Sequence, residues 1–295
     1  MTQRTERGQL SFNLDRTISD GISARACDDE EDGLHQTFAT LTGDYDVTDA
    51  VTLGCSALWR DAEVEIDRSV TDNSGVNYTE QAGARVYARL DAFGFDHEQS
   101  YSTFSSDRRD PGGFTEEFLG DRRQLTYVGT GEVGATTLSF GADWTEETIR
   151  TDSVSGEDTT VSAFVEAIFR PTGALDLALS LRQDDSDDFG GETSGRLAAA
   201  WQATPDTIVR AVAGTGFRAP SLFERFSGFG NPDLEAEQSL SLEFGLEQRL
   251  GEASFVKATA FYTEIDNLIQ FDPNATVCGT GFGCYGQVEG TTRTR

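Results

Sequence analysis

One feature constrains this chain more than any other: apolar and polar residues alternate over long stretches, again and again. Leu175, Leu177, Leu179 and Leu181 share one parity, while Asp176, Ser180 and Arg182 take the other. Val161, Ala163, Val165, Ala167 and Phe169 alternate with Thr160, Ser162, Glu166 and Arg170. Leu138, Phe140, Ala142 and Trp144 alternate with Thr137, Ser139, Gly141 and Asp143, and Leu240 to Leu246 repeats the pattern against Ser241, Glu243, Gly245 and Glu247. A period of two is the mark of a β-strand with one apolar and one wetted face. The segments are also long: 133–148, 159–170, 173–184, 205–215, 238–249 and 252–263. Ordinary strands average about 5–6 residues, whereas a strand that crosses a bilayer at a tilt needs about 9–11. Further segments lie near 9–17, 35–45, 50–60, 82–90, 92–102, 121–131, 193–202 and 261–271, about 14 in all.

The connections come in two kinds. Arg170-Pro171-Thr172-Gly173 and Ala203-Thr204-Pro205-Asp206 read as tight hairpin turns. Long acidic connections alternate with these, at 28–33, 67–80, 105–119, 151–158, 184–192 and 216–237. Short turns on one side and long loops on the other is the asymmetry of an outer-membrane barrel. A soluble sandwich also alternates, but with shorter strands, and no repeat of a propeller blade is present. The predicted fold is therefore all-β, an antiparallel transmembrane β-barrel, in one domain over 1–295.

Composition narrows the functions. The chain has 23 Lys+Arg against 51 Asp+Glu, a formal net charge of −28. Such a surface repels phosphate backbones, which excludes nucleic acid as a partner. With only 2 His, His35 and His97, a His-rich metal site is impossible, and both read as wall residues. No apolar run is long enough for a membrane-spanning helix. There is no Gly-x-Ser-x-Gly, His-Glu-x-x-His or phosphate loop, so an enzyme is not expected. The N-terminus lacks a secretory signal pattern, which suits a cytosolic chain or a piece of an exported one. Cys278 and Cys284 bracket Gly-Thr-Gly-Phe-Gly, a short loop that a disulfide closes easily in an oxidising compartment; the alternative is two free thiols. Whether Cys27 and Cys55 pair is open.

The most specific segment is 211–247, AVAGTGFRAPSLFERFSGFGNPDLEAEQSLSLEFGLE. It resembles the mid-barrel signature of TonB-dependent outer-membrane receptors. The matching residues are Gly214, Gly216, Phe217, Arg218, Ala219, Pro220, Gly230, Asn231, Pro232, Leu234, Glu237 and Ser239. Residues 261–271 resemble the family's next strand, and the run Arg182 to Gly190 is similar to the vitamin B12 receptor branch of that family. The resemblance implies a barrel of about 22 strands, of which this chain supplies an incomplete part. The plug domain and the TonB-contacting segment are expected to lie outside it. It also implies the cell outer membrane, a scarce bulky nutrient as ligand (cobalamin first, an iron–siderophore next), TonB and membrane lipid as partners. Arg218 is expected to be structural or plug-contacting.

The acidic runs are the candidate ligands. Asp28, Glu30 and Asp32 alternate beside Gly33, and Asp67 and Asp72 fall in the next long loop. Calcium takes carboxylate and carbonyl oxygens from flexible loops. In the vitamin B12 receptor branch acidic residues of these two loops bind calcium, which implies calcium at these five positions. A second run, Asp184 to Asp188, ranks lower. Phe223, Phe226 and Phe229 either stack on a bulky ligand or close their own loop. The other functional expectation is an acidic, calcium-ordered surface binding or adhesion protein.

Overall fold

A computed structural model describes residues 1–23, 31–68, 74–113, 115–152, 154–275, 278, 281, 283–288 and 291–294. The strands are β1 (Thr2–Arg4), β2 (Gly8–Ser19), β3 (Leu34–Thr48), β4 (Val51–Ile66), β5 (Gly75–Ala92), β6 (Phe95–Arg109), β7 (Glu117–Val133), β8 (Thr136–Thr151) and β9 (Ser155–Thr172). They continue with β10 (Leu175–Ser186), β11 (Gly190–Thr204), β12 (Thr207–Arg218), a single helical turn α1 (Leu222–Phe226), β13 (Glu237–Arg249), β14 (Phe255–Asp266), β15 (Ile269–Asp272), β16 (Cys284–Gln287) and β17 (Thr291–Thr294). Fifteen strands form one sheet in the order β1 through β14 and then β17, and β15 pairs with β16 as a separate ribbon. The pairings are antiparallel and join chain neighbours, except that β14 pairs, also antiparallel, with β17.

Sequence alternation becomes facial segregation through register. Leu179 faces Ala167 on one side and Leu197 on the other; Leu197 faces Ala213, and Ala213 faces Leu242. This row is open to its surroundings: Leu179 is 53% exposed, Leu197 54% and Leu242 43%. Only six apolar residues are buried among those described: Ala62, Ile149, Leu234, Ala236, Ile269 and Cys284. A water-soluble sandwich would bury its leucines; here they form the outside. The apolar row of β5, from Ala82 to Leu90, spans nine positions, roughly 30 Å of strand. At a tilt of about 45° that gives roughly 20 Å, close to the ~25 Å apolar band of an outer-membrane barrel.

The chain divides into two units. The first comprises Met1–Asp91, Glu98–Thr126 and Thr145–Asp158. On its polar face Arg85 and Arg89 share the Glu98 carboxylate and flank the Tyr87 ring at 4.9 and 4.7 Å. The second comprises Ala92–His97, Tyr127–Trp144 and Thr159–Arg295. Its polar face holds Arg182 between Asp143 (3.0 Å) and Asp184 (2.8 Å), and Arg210 against Glu247 (3.1 Å).

The turn ends are tight. Phe93 and Gly94 form a two-residue turn with φ of 59° and 81°, both in the left-handed region where the turn twist matches the strands. The loop ends differ from expectation in several places. The strands are longer, so β5 begins at Gly75, β7 at Glu117 and β9 at Ser155, inside stretches expected to be loop. The acidic run at 184–188 is not a long loop: β10 runs to Ser186 and only residues 187–189 connect it to β11. Asp184 is buried there because it accepts from Ser162 (2.6 Å) and pairs with Arg182. The two strands expected at 252–263 and 261–271 are one strand, β14, followed by β15.

Candidate functional site

Among the described residues, the loop that follows the signature strand gathers most of the buried apolar side chains. Leu234, Ala236, Ile269 and Cys284, four of the six buried apolar residues, are found here. Pro220 ends β12, since the ring fixes φ and removes a donor. Ser221 then caps α1: its hydroxyl accepts from the Glu224 backbone N–H at 3.2 Å, and the Glu224 carboxylate accepts from the Ser221 N–H at 2.7 Å. This Ser-x-x-Glu capping box is legible in the sequence.

Arg218 ties the loop to the sheet. Its guanidinium pairs with Glu224 at 3.0 Å and Glu237 at 2.7 Å. Glu237 also accepts from the Ile269 N–H at 2.7 Å, which brings in the ribbon. One side chain therefore joins the end of β12, the helix, the start of β13 and, through Glu237, β15. Burial alone would raise the Glu224 carboxyl, but Arg218 and the Ser221 donors outweigh it and hold it below the usual carboxylate range.

The remaining signature residues are spent on the loop's own shape. Gly230 lies so close to Arg225 that a Cβ there would sit 2.5 Å from the Arg225 carbonyl oxygen. The Asn231 N–H donates to the Glu224 carbonyl (2.9 Å), and its side chain accepts from the Asp233 N–H (3.0 Å) in an Asx turn before and after Pro232. Arg225 donates to the Pro232 carbonyl (2.9 Å) and pairs with Asp188 (3.0 Å). Phe217 packs on Phe189, at 5.9 Å between centroids, while Gly214 and Gly216 lie within β12.

The β15–β16 ribbon closes over this loop. The Tyr285 N–H donates to the Phe229 carbonyl at 2.9 Å. The Gln287 side chain donates to the carbonyls of Glu235 and Asn267, both at 3.0 Å. Phe223 meets Tyr285 edge-on, Phe229 meets Phe271, and Phe271 meets Tyr285, at 6.3, 5.9 and 5.5 Å. Phe226 lies instead under Arg225, at 5.1 Å. A disulfide joins Cys278 to Cys284, with Cα atoms 5.8 Å apart. The aromatic loop thus folds onto the ribbon, a pairing that sequence reading missed because the partners lie about fifty positions apart.

Among the other singled-out residues, Cys27, Asp28, Glu30 and Asp72 lie outside the described residues, and Cys55 is a free thiol on β4. Asp32 and Asp67 are described. The Gly33 N–H beside Asp32 donates to Glu65 at 2.9 Å, so the end of the first acidic loop abuts the strand end that leads into the second. Among the described residues no group of three His, Cys, Asp or Glu is gathered for a metal. His35 lies on β3 opposite Ile18 and Glu63. His97 stacks on Tyr127, with Nδ1 2.8 Å from the Tyr127 hydroxyl and Nε2 3.2 Å from the Ala92 carbonyl.

Comparison with known proteins agrees with this geometry. The β-barrel of TonB-dependent receptor-like proteins matches residues 3–295. The vitamin B12 transporter BtuB of Vibrio vulnificus is 31% identical over 143 residues, covering 45% of this chain and 23% of the relative. The iron-regulated outer membrane virulence protein of Vibrio cholerae is 28% identical over 173 residues, covering 52% and 26%. Among solved structures, the siderophore receptor PirA from Pseudomonas aeruginosa superposes with a TM-score of 0.81 at 18% identity, over 98% of this chain and 56% of that one. The chain spans about a quarter of the curated relatives' length and about half of the solved receptor's.

Proposed function

Because this chain belongs to the TonB-dependent receptor β-barrel family and lies in the cell outer membrane, we propose that it supplies wall and loops to an energy-coupled receptor that imports a scarce bulky nutrient. The work is transport, not catalysis. The observation that carries the reading is the Arg218 node: it holds a folded loop on the wall at the loop ends of β12 and β13. A soluble adhesion protein is disfavoured, because the exposed leucine rows need lipid.

Cobalamin is the first substrate, an iron–siderophore the second. Supporting cobalamin is the similarity of 143 residues to a vitamin B12 transporter. Calcium at Asp28, Glu30, Asp32, Asp67 and Asp72 belongs to the same reading, supported by the hydrogen bond between Gly33 and Glu65 at the root of the two loops. TonB would act through a plug segment, and lipid surrounds the wall. The test is binding of cyanocobalamin and ferric enterobactin to outer membranes carrying the protein, with and without calcium. Saturable binding of either supports transport, and a calcium requirement supports the loop site. Binding of neither sinks the nutrient reading.

A further inference from the structure

The polar face of β9 to β12 carries a second feature, distinct from the loop. A cleft of about 320 Å³ opens there, lined on this face by Phe164, Glu166, Ser180, Arg182, Ser194 and Arg196. Register fixes the arrangement. Glu166, Ser180 and Arg196 form one row across three adjacent strands, and Gly214 completes it on β12. Phe164, Arg182 and Ser194 form the next row toward the loops. Neighbouring strands lie about 4.8 Å apart, so the two serine hydroxyls and the Arg196 guanidinium converge on one space.

The arginines of this unit's polar face are not alike. Arg182, Arg210 and Arg218 are each held by carboxylates. The Arg196 side chain is exposed and, among the described residues, carries no hydrogen bond or ion pair. Arg249, at the turn end of β13, also carries no ion pair among the described residues; Arg196 differs from it in lying within its strand and lining the cleft. Gly214 places no side chain beside it, so its flank stays open. A guanidinium presents a rigid fork of N–H donors that matches carboxylate and phosphate oxygens. Ser180 and Ser194 add hydroxyl donors, and Glu166 adds an acceptor two strands away.

We propose that Arg196, with Ser180 and Ser194, receives an oxyanion of the transported solute, a carboxylate or a phosphate ester, partway along the wall. Arg196 lies six positions from the loop end of β11, about 20 Å along the strand, so this is a station below the mouth. The proposal rests on the transport reading. Glu166 suits a solute that carries an amide or hydroxyl near its oxyanion.

The test uses the protein purified from outer membranes in detergent, with every segment its gene supplies. Three probes are titrated: cyanocobalamin, which bears a phosphodiester; dicyanocobinamide, the same corrin without it; and ferric citrate, which bears carboxylates. The expected result is that Arg196→Gln weakens cyanocobalamin or ferric citrate roughly tenfold or more, leaves dicyanocobinamide unchanged, and that Arg196→Lys restores part of the loss. Loss confined to cyanocobalamin assigns a phosphate, and loss confined to ferric citrate assigns a carboxylate. Heat-modifiable gel migration checks that each variant is folded, and Arg210→Gln serves as a control on the same face. Unchanged affinities in folded Arg196→Gln would overturn the subsite and leave the transport reading standing; so would an effect on thermal stability alone, which would make Arg196 a plug contact. No binding of any probe by the unaltered protein would overturn both.

Discussion

The sheet and the loop–ribbon assembly above β12 and β13 are built on opposite principles. The sheet buries almost nothing: its leucines point outward, and its cohesion comes from hydrogen-bond ladders and cross-strand rows. The assembly does the reverse. It buries Leu234, Ala236, Ile269 and Cys284, caps its one helical turn, closes the β15–β16 connection with a disulfide and pairs its charges. The difference follows from solvent. A wall in lipid gains nothing by hiding leucine but must satisfy every backbone donor. A loop in water must make its own core, and a small core needs staples.

That contrast can be broken by substitution. The largest effect is expected from Leu179→Arg, in the middle of the apolar row: about 2–4 kcal/mol of lost stability in a bilayer, against about 0–1 for Thr193→Arg nearer the loop end. Equilibrium unfolding in lipid vesicles checks it; equal costs would deny the wall reading. Next, Cys278→Ser with Cys284→Ser should loosen the assembly by about 2 kcal/mol through loop entropy while leaving the sheet intact. Hydrogen exchange at Tyr285 and Ile269, compared with β10, reads the two regions separately. Arg218→Met leaves Glu224 and Glu237 facing each other without their cation, with an expected local cost of about 1–3 kcal/mol. Faster proteolysis between residues 219 and 236, with unchanged heat-modifiable migration, is the predicted pattern.

Two smaller effects sharpen the picture. Glu224 has a folded pKa below its unfolded one, so its contribution is present above the ordinary carboxylate pKa and is lost as pH falls through the depressed value. Protease sensitivity of the 219–236 loop should therefore rise in the acid range below about pH 4 while the sheet persists. A Glu224→Gln variant should flatten that dependence. Smallest of all, Phe93 holds a left-handed φ that favours Asn or Gly. Phe93→Asn should leave the sheet unharmed or stabilise it by up to about 1 kcal/mol.

The sheet was legible in the sequence and the assembly largely was not, for the same physical reason. Alternation is local, and register turns it directly into faces. It fades only at the loop ends. On β4 and β5 the face that carries Ala57, Trp59 and Ala82 continues as Asp61, Glu63 and Glu80, so acids interrupt the apolar row toward the loop end. That is why strand ends read as loops at 75–80. Asp184 misled similarly: consecutive acids look like a loop, yet this one is buried against Arg182 and Ser162. In the assembly, Ser221 and Glu224 announce a cap, and the Gly-Asn-Pro turn announces itself. The Arg218–Glu237 pair and the Phe229–Phe271 contact join residues 19 and 42 positions apart, beyond the reach of local pattern.

The central claim is that one face of the sheet meets lipid and the other meets water. A nitroxide scan along β10 in a reconstituted bilayer tests it directly. Positions 176 to 182 would be labelled singly through cysteine in a background without Cys27, Cys55, Cys278 and Cys284. The account predicts strict alternation: 177, 179 and 181 collide with oxygen dissolved in the lipid, and 176, 178, 180 and 182 with a water-soluble nickel chelate. Uniform accessibility to the chelate along the whole strand, or the reverse parity, would contradict it.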